Sequence, residues 1–204
     1  MTYLFLALSY LVGATPTSYW VGKAFHGIDL RKHGSGNLGA TNAFRVLGWR
    51  SALPVMLFDV AKGFVPVQIF SHLASASFGW TLAFGAAAIV GHMFSLWVRF
   101  RGGKGVATSA GVFLGLAPWA VLGAFAVWVG VVAGTRYVSA GSVAAALTLP
   151  VFVSLTPHAG GPALVWFTVA LALFVTWAHR FNIKRLMRGD ETRLETRSAA
   201  GPAT

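Results

Sequence analysis

The sequence predicts an all-α, polytopic membrane helix bundle. Hydrophobic residues make up 56% of the 204 residues and charged residues only 10%, and the mean hydropathy is +0.67. Soluble domains carry about 25% charged residues, so this chain is too apolar to be a soluble protein. The apolar runs lie at residues 2–21, 51–73, 80–98, 106–133, 141–155 and 162–178. Because a helix needs about 20 apolar residues to cross a bilayer, these runs predict membrane-spanning helices.

Lysine and arginine predict the orientation of the bundle. They concentrate in residues 22–50, 99–105 and 180–197, whereas residues 71–79 and 156–161 contain none. Short loops rich in these cations stay in the cytoplasm. The three basic segments are therefore predicted to face the cytoplasm, with the N-terminus outside and the C-terminus cytoplasmic.

The long run at 106–133 decides the number of crossings. A single crossing there would leave the basic C-terminal segment outside. A hairpin broken before Pro118 returns Arg136 to the cytoplasm, and proline favours a break because it lacks a backbone N–H. The prediction is thus seven transmembrane helices, some short or broken. The alternative is five full crossings, with one of the last two runs re-entrant.

Composition also predicts the domains and the partners. Residues 1–186 are predicted to form a single domain and 187–204 a polar cytoplasmic tail. The 16 lysines and arginines outnumber 5 acidic residues and lie mostly between apolar runs, which favours phosphate-bearing lipids or substrates over nucleic acid. The chain has no cysteine, which excludes thiolate nucleophiles and thiolate metal sites. No metal or cofactor is predicted.

A short polar helix is predicted to begin at Ser35 and to stop before Gly48. Asn37, Thr41 and Arg45 follow one another at intervals of four residues and would share one helix face. An amide, a hydroxyl and a guanidinium in one row can bind a phosphate. The alternative is an interfacial helix that contacts lipid phosphates.

A glycine loop precedes a helix predicted from Val106. Gly102, Gly103 and Gly105 surround Lys104, so the backbone can approach an anion while the helix N-terminus and the lysine supply positive charge. The loop is not a Walker motif, in which serine or threonine follows the lysine. A flexible loop with a lipid-facing lysine is the alternative.

Two pairs of polar residues have a spacing of three. In the pair Ser139 and Ser142, the first is assigned to helix capping and the second to the ligand, because Arg136 places this region at the cytoplasmic face. In the pair His179 and Asn182, the histidine is a proton carrier or a phosphate hydrogen-bond donor. A purely structural role is the alternative for the histidine.

Asp59 and Lys62 lie inside an apolar run, where ionisable groups are costly and are usually paired or functional. A structural pair within one helix is predicted. As the only acid within an apolar run, Asp59 could also orient a cation at the floor of the site. His92 lies within the membrane and could orient another group; the alternative is a buried, hydrogen-bonded histidine.

Six motifs occur in order along the chain. They are Ser35-Gly36-Asn37-Leu38-Gly39-Ala40-Thr41-Asn42-Ala43-Phe44-Arg45, Asp59-Val60-Ala61-Lys62-Gly63, Gly91-His92-Met93-Phe94, Gly102-Gly103-Lys104-Gly105-Val106-Ala107-Thr108, Arg136-Tyr137-Val138-Ser139 and His179-Arg180-Phe181-Asn182-Ile183-Lys184-Arg185-Leu186. Together they resemble the bacterial integral-membrane acyl-phosphate:glycerol-3-phosphate acyltransferases.

The resemblance implies transfer of a fatty acyl group from acyl phosphate to the 1-hydroxyl of glycerol 3-phosphate, with lysophosphatidic acid and phosphate as products. This is the first acylation of phospholipid synthesis. It also implies a seven-helix protein of the bacterial inner membrane with a cytoplasm-facing site.

Direct attack without an acyl-enzyme is the mechanism predicted for that reaction. Lys104 and the backbone amides of residues 102–106 would hold the acyl phosphate head and stabilise developing charge. The glycerol phosphate would be positioned by Arg45, Ser35, Gly36, Asn37, Thr41, Asn42, Ser142, His179 and Asn182. The base is either His179 or, as preferred here, a substrate phosphate oxygen. A transporter of phosphorylated solutes is the rival function, disfavoured because the predicted outer loops lack charge.

Overall fold

A computed structural model describes residues 1–194, and within that range the chain forms helices and loops without a β-strand. We number the helices in chain order. They are α1 Thr2–Ala14, α2 Thr17–His26, α3 Ala40–Leu47, α4 Trp49–Val65, α5 Phe78–Met93, α6 Val106–Leu116, α7 Pro118–Thr135, α8 Val138–Leu155, α9 Gly161–Ala178 and α10 Arg180–Arg188. A π-helical turn, Pro66–Phe70, extends α4 to Leu73.

Five helical segments are long and apolar enough to cross a membrane. They are Trp49–Leu73, Phe78–Val98, Pro118–Thr135, Val138–Leu155 and Gly161–Ala178. Two further apolar helices, α1 and α6, are shorter, with 13 and 11 residues. The predicted all-helical, polytopic membrane architecture is therefore confirmed. Both of the last two apolar runs form complete helices of 18 residues.

The predicted break within residues 106–133 is present. Helix α6 ends at Leu116 and α7 begins at Pro118, with Ala117 between them at φ −152° and ψ 70°. Pro118 is the first residue of its helix, where the missing N–H leaves no intrahelical bond unmade. Proline therefore suits this break without forcing one, since Pro54 and Pro150 lie inside α4 and α8.

The first apolar run does not form the single span that was predicted. Helix α1 ends before Thr15, and α2 begins only after Pro16, because the proline ring clashes with the preceding turn and offers no N–H. The carbonyl of Thr15, released by the break, accepts a hydrogen bond of 3.0 Å from the ammonium of Lys62.

Helices α4 and α6 cross at small residues. A Cβ atom at Gly63 would collide with the carbonyl of Thr108, and one at Gly111 would collide with the carbonyl of Val60. Small residues let membrane helices approach until their backbones touch, and van der Waals contacts then hold the helices together. No hydrophobic effect drives this association, because lipid tails are as apolar as the helices. This crossing fixes α6, and with it the glycine loop that precedes it.

The polar segments gather at one end of the bundle. The glycine loop contacts α10 through Lys104 and Asn182, and α3 contacts the C-terminal segment through Arg45 and Thr192. Part of the predicted tail, residues 189–194, thus folds back onto the bundle. The rest of that tail, residues 195–204, lies outside the described residues.

Candidate active site

A chain of side-chain hydrogen bonds runs through the polar end of the bundle. The ammonium of Lys104 donates to Oδ1 of Asn182, and Nδ2 of Asn182 donates to Oε1 of Glu191 over 2.6 Å. The amide can satisfy both neighbours only with its oxygen towards the cation and its nitrogen towards the carboxylate. The orientation of Asn182 is therefore fixed from both sides.

Glu191 is the anion that organises this cluster. Its Oε1 also accepts from the hydroxyl of Ser139 at 2.7 Å, its Oε2 accepts from Nε of Arg185 at 2.7 Å, and it is 7% exposed. Burial alone would raise the pKa of Glu191, but the hydrogen bonds from Ser139, Asn182 and Arg185 outweigh it and hold the pKa below the ordinary value. The carboxylate is therefore ionised at neutral pH.

Lys104 is a poorly solvated cation. Burial lowers its pKa to about 8, the positive charges of Arg185 and Arg45 act in the same direction, and the charge of Glu191 opposes them. The amine is protonated at pH 7 but close to losing its proton. Such a cation gains more from an incoming anion than a solvated lysine does, because less hydration is given up.

Arg45 supplies a second cation with an unused donor. Its Nη2 donates to the carbonyl of Thr192 at 3.0 Å, and burial lowers its pKa. Its Nε is buried and has no hydrogen-bond partner within residues 1–194. Buried donors are normally paired, so this N–H is available for a ligand.

The helix predicted from Ser35 begins instead at Ala40. Gly36 has φ +70°, a left-handed conformation that interrupts a right-handed helix. Asn37 therefore lies in a loop and does not share a helical row with Arg45, whereas Thr41 does.

Asn42 anchors this loop. Its Oδ1 accepts from the amide of Ser35 at 2.8 Å, and its Nδ2 donates to the carbonyls of Leu30 and His33 at 3.2 and 3.1 Å. All three bonds are internal, so the predicted substrate contact of Asn42 is replaced by a structural role.

The glycine loop opens α6 as predicted, but its amides are differently used. Gly105, at φ +80°, is the N-cap of the helix. The amides of Gly102 and Gly103 donate to the carbonyls of Met93 and His92 at 3.0 and 3.1 Å, so the prediction that these two amides bind an anion is wrong. The amides of Val106, Ala107 and Thr108, at the N-terminus of α6, have no carbonyl partner within the helix, and their binding of an anion stays a prediction.

His179 has a defined tautomer. Its Nδ1 lies 2.8 Å from the carbonyl of Val175, and because a carbonyl only accepts, Nδ1 carries the proton. Burial lowers the pKa of His179 to about 4, helped by the charge of Lys104. The neutral ring has a lone pair on Nε2 and can accept a hydrogen bond there, and the role of His179 as a proton carrier or a phosphate donor stays a prediction.

The two serines of α8 make contacts that differ from those predicted for them. Ser139, which was assigned to capping, contacts Glu191. The hydroxyl of Ser142 donates to the carbonyl of Val138 at 2.9 Å and lies 3.4 Å from Nε1 of Trp128. Ser142 is thus engaged within its surroundings, and no described hydrogen bond joins it to a base.

Two cavities adjoin the cluster. One of about 200 Å³ has polar and apolar walls. It is lined by Asn37, Met93, Phe94, Gly103, Lys104, Trp177, Ala178, Arg180 and Phe181. The other, of about 340 Å³, is almost wholly apolar. It is lined by Ala40, Thr41, Phe44, Trp49, Ala52, Leu53, Met56, Trp128, Val138 and Leu194.

Glu191 was not predicted as a site residue, because it belongs to a charged segment that resembles a solvated tail. The one local signal is Gly189, which ends α10 at φ +79° and turns the chain back. Nothing in the sequence near Glu191 indicates its partner Ser139, which is 52 residues away.

Known proteins are similar to this chain in sequence and in fold. The profile of the glycerol-3-phosphate acyltransferase family matches residues 3–189. A glycerol-3-phosphate acyltransferase of Geobacter sulfurreducens is 45% identical over 93% of this chain and 95% of its own length. One of Desulforudis audaxviator is 45% identical over 95% and 96%.

Two crystal structures of PlsY, an integral membrane glycerol 3-phosphate acyltransferase, superpose over 96% of both chains. The glycerol 3-phosphate form has a TM-score of 0.87 at 33% identity, and the lysophosphatidic acid form 0.84 at 34%. The match in sequence and in fold extends over nearly the whole chain, so this protein belongs to the glycerol-3-phosphate acyltransferase family of integral membrane acyltransferases.

Proposed function

We propose that the protein transfers a fatty acyl group from acyl phosphate to the 1-hydroxyl of sn-glycerol 3-phosphate. The hydroxyl oxygen forms a bond to the acyl carbon, and the bond between that carbon and the phosphate oxygen breaks. The phosphate leaves with the electron pair, and the hydroxyl proton ends on a phosphate oxygen. The products are 1-acyl-glycerol 3-phosphate and inorganic phosphate.

The observation that carries this proposal is the clustering of Lys104, Arg45 and Asn182 beside a cavity and a helix N-terminus. Both substrates carry phosphate, and the site offers a poorly solvated ammonium and an unpaired guanidinium N–H. Lys104 and the first amides of α6 would hold the acyl phosphate head and stabilise the charge that develops on the carbonyl oxygen. Arg45 would hold the second phosphate.

Acyl phosphate is an activated donor, so the enzyme needs no covalent intermediate. The chain has no cysteine, and Ser142 donates its hydroxyl to the carbonyl of Val138 without a neighbouring base. Aligning two bound reactants supplies about 7–11 kcal/mol in favourable cases. Positioning and charge stabilisation are therefore sufficient roles for the protein.

A substrate phosphate is the better base. His179, with a pKa of about 4, is too weak a base to take the proton efficiently near pH 7, whereas phosphate monoesters have a second pKa of about 6. The neutral Nε2 of His179 can instead accept the hydrogen bond of the attacking hydroxyl and orient it. The apolar cavity beside Thr41 fits the fatty acyl chain.

Purified protein incubated with acyl phosphate and glycerol 3-phosphate should release one phosphate for each lysophosphatidic acid formed. Labelled acyl phosphate without acceptor should leave no label on the wild-type enzyme, and none on Ser142→Ala. Activity with acyl-CoA and none with acyl phosphate would contradict the proposal that acyl phosphate is the donor. A stoichiometric acyl-enzyme would contradict direct attack.

We also propose seven crossings, with the N-terminus outside and the site facing the cytoplasm of a bacterial inner membrane. The break between α6 and α7 supports this topology, because it lets all lysine- and arginine-rich segments share one side. The absence of native cysteine permits a direct test. In intact cells an impermeant thiol reagent should label Ala159→Cys and spare Lys32→Cys, both exposed positions; the opposite pattern would reverse the orientation.

A further inference from the structure

A buried ionic cluster within the membrane bundle has no part in the reaction described above. Asp59 and Lys62 of α4 form an ion pair of 2.6 Å and are only 1% and 6% exposed. The hydroxyl of Thr17 donates to Oδ1 of Asp59 at 3.2 Å, and Lys62 also donates to the carbonyl of Thr15. The cluster thus ties α4 to the break between α1 and α2.

His92 joins this cluster to the glycine loop. It lies near the end of α5, is 6% exposed, and has its Nδ1 3.8 Å from Oδ1 of Asp59. The opposite edge of the ring faces Gly103: a Cβ atom at Gly103 would collide with Nε2 and Cε1 of His92. The imidazole therefore fills the space between a buried carboxylate and the backbone of the loop.

The backbone reinforces the same contact. The amide of Gly103 donates to the carbonyl of His92 at 3.1 Å, and the amide of Gly102 donates to that of Met93 at 3.0 Å. Lys104 follows directly, and its ammonium reaches Asn182. The position of Lys104 is thus set by the end of α5 on one side and by α10 on the other.

We propose that His92 is a positioning residue for Lys104. The Asp59–Lys62 pair lies against one edge of the imidazole, at a distance longer than a hydrogen bond. The other edge of the imidazole supports the Gly103 backbone, and this backbone places the ammonium of Lys104 at the donor phosphate. This role rests on the proposed function of Lys104. Ionisable groups inside a membrane segment cost free energy and are usually paired or functional. A displacement of about 1 Å at a reacting group can cost about 10²-fold in rate, so a cluster that keeps Lys104 in place would preserve activity.

His92→Ala should raise the KM for acyl phosphate by about tenfold or more and leave the KM for glycerol 3-phosphate within about twofold. The exposed His72 supplies a matched control, since His72→Ala should change neither. A structural role alone would reduce the amount of folded protein and leave the KM per folded molecule unchanged. Unaltered KM values in folded His92→Ala would overturn the proposal.

A second variant tests the contact itself. Gly103→Ala places a methyl group against the ring of His92, so adding His92→Ala should remove that collision. The double variant should then lose about tenfold less kcat/KM than the product of the two single losses, in a non-additive cycle. Rescue would be partial, since the carbonyl of Leu38 also lies 2.9 Å from the added atom. A double variant whose loss equals the product of the two single losses would overturn the proposal.

The two proposals fail in different ways. A wild-type protein without acyl transfer from acyl phosphate contradicts the proposed function. In that case Lys104 placement is measured with inorganic phosphate, which should raise the unfolding temperature of the wild type and raise it less in His92→Ala. An equal shift in the two proteins would overturn the positioning role.

Discussion

Replacing Lys104 with alanine should lower kcat/KM for acyl phosphate by about 10²- to 10³-fold, as the loss of a donor to developing negative charge does in other acyl-transfer sites. The half-buried side chain of Lys104 lines the cavity of about 200 Å³, and its ammonium donates a hydrogen bond to Asn182. Lys104→Arg should retain more activity, because the charge remains. Rates of phosphate release with both substrates varied would measure the effect.

Lys184 provides the control, because it is an exposed lysine on the helix that carries Asn182. Lys184→Ala should change kcat/KM by less than about twofold, in line with the small effect of a solvated charge. Equal losses in Lys104→Ala and Lys184→Ala would show that general positive charge at the surface is what matters, and the assignment of Lys104 would fail.

The pKa of Lys104 predicts the alkaline side of the pH profile. Burial lowers this pKa to about 8, so kcat/KM should fall as the pH rises through about 8 and the ammonium loses its proton. In Lys104→Arg that fall should disappear, because arginine stays protonated. A fall at the same pH in Lys104→Arg would assign it to another group.

The acid side of the same profile tests His179. With a pKa of about 4, the ring stays neutral throughout the range from about pH 5 upward. His179→Gln keeps an acceptor and should leave the shape of the acid side unchanged while kcat falls. An acid limb that vanishes in His179→Gln would make His179 the base.

Replacing Glu191 with glutamine should destabilise the protein by about 2 kcal/mol, which corresponds to a fall of about 4–8 °C in the unfolding temperature for a chain of this size. Ser139, Asn182 and Arg185 all donate to this carboxylate. Glutamine has one acceptor oxygen, and its NH2 group would face at least one of these donors. The estimate stays at the lower end because the side chain of Arg185 is 43% exposed and therefore screened.

The pH dependence of this stabilisation has a definite sign. The folded-state pKa of Glu191 lies below its ordinary value, so the contribution is fully present above the unfolded pKa of about 4.3 and is lost as the pH falls through the folded pKa. Unfolding of the wild type and of Glu191→Gln in detergent should therefore differ at pH 7 and converge at low pH.

The neighbouring acid Asp190 is exposed, so Asp190→Asn should leave the unfolding temperature unchanged and serves as the control. An unfolding temperature for Glu191→Gln equal to that of Asp190→Asn would contradict the organising role of Glu191. A normal unfolding temperature combined with a raised KM would instead assign the carboxylate to substrate alone.

The sequence by itself determined most of the membrane helices and marked the residues that we propose to bind phosphate. Hydropathy marks the spans, because transfer of apolar side chains into lipid depends on local composition. Pro118 favours a break between two helices, because its ring lacks the N–H and clashes with the preceding turn. The sequence analysis predicted four site residues because glycine, amide and cationic groups stand out from an apolar background. They are Lys104, Arg45, His179 and Asn182.

The tertiary structure decided which polar atoms remain free. The amides of Gly102 and Gly103 are used by the end of α5, Asn42 is used by its own loop, and Ser139 replaces Ser142 at the centre. Each of these outcomes depends on a partner that no local pattern predicts. Glu191 accepts a hydrogen bond from Ser139, 52 residues away in the sequence, and Arg45 donates one to Thr192, 147 residues away. Hydrogen bonds form between neighbours in space, and only the packed bundle determines which groups are neighbours.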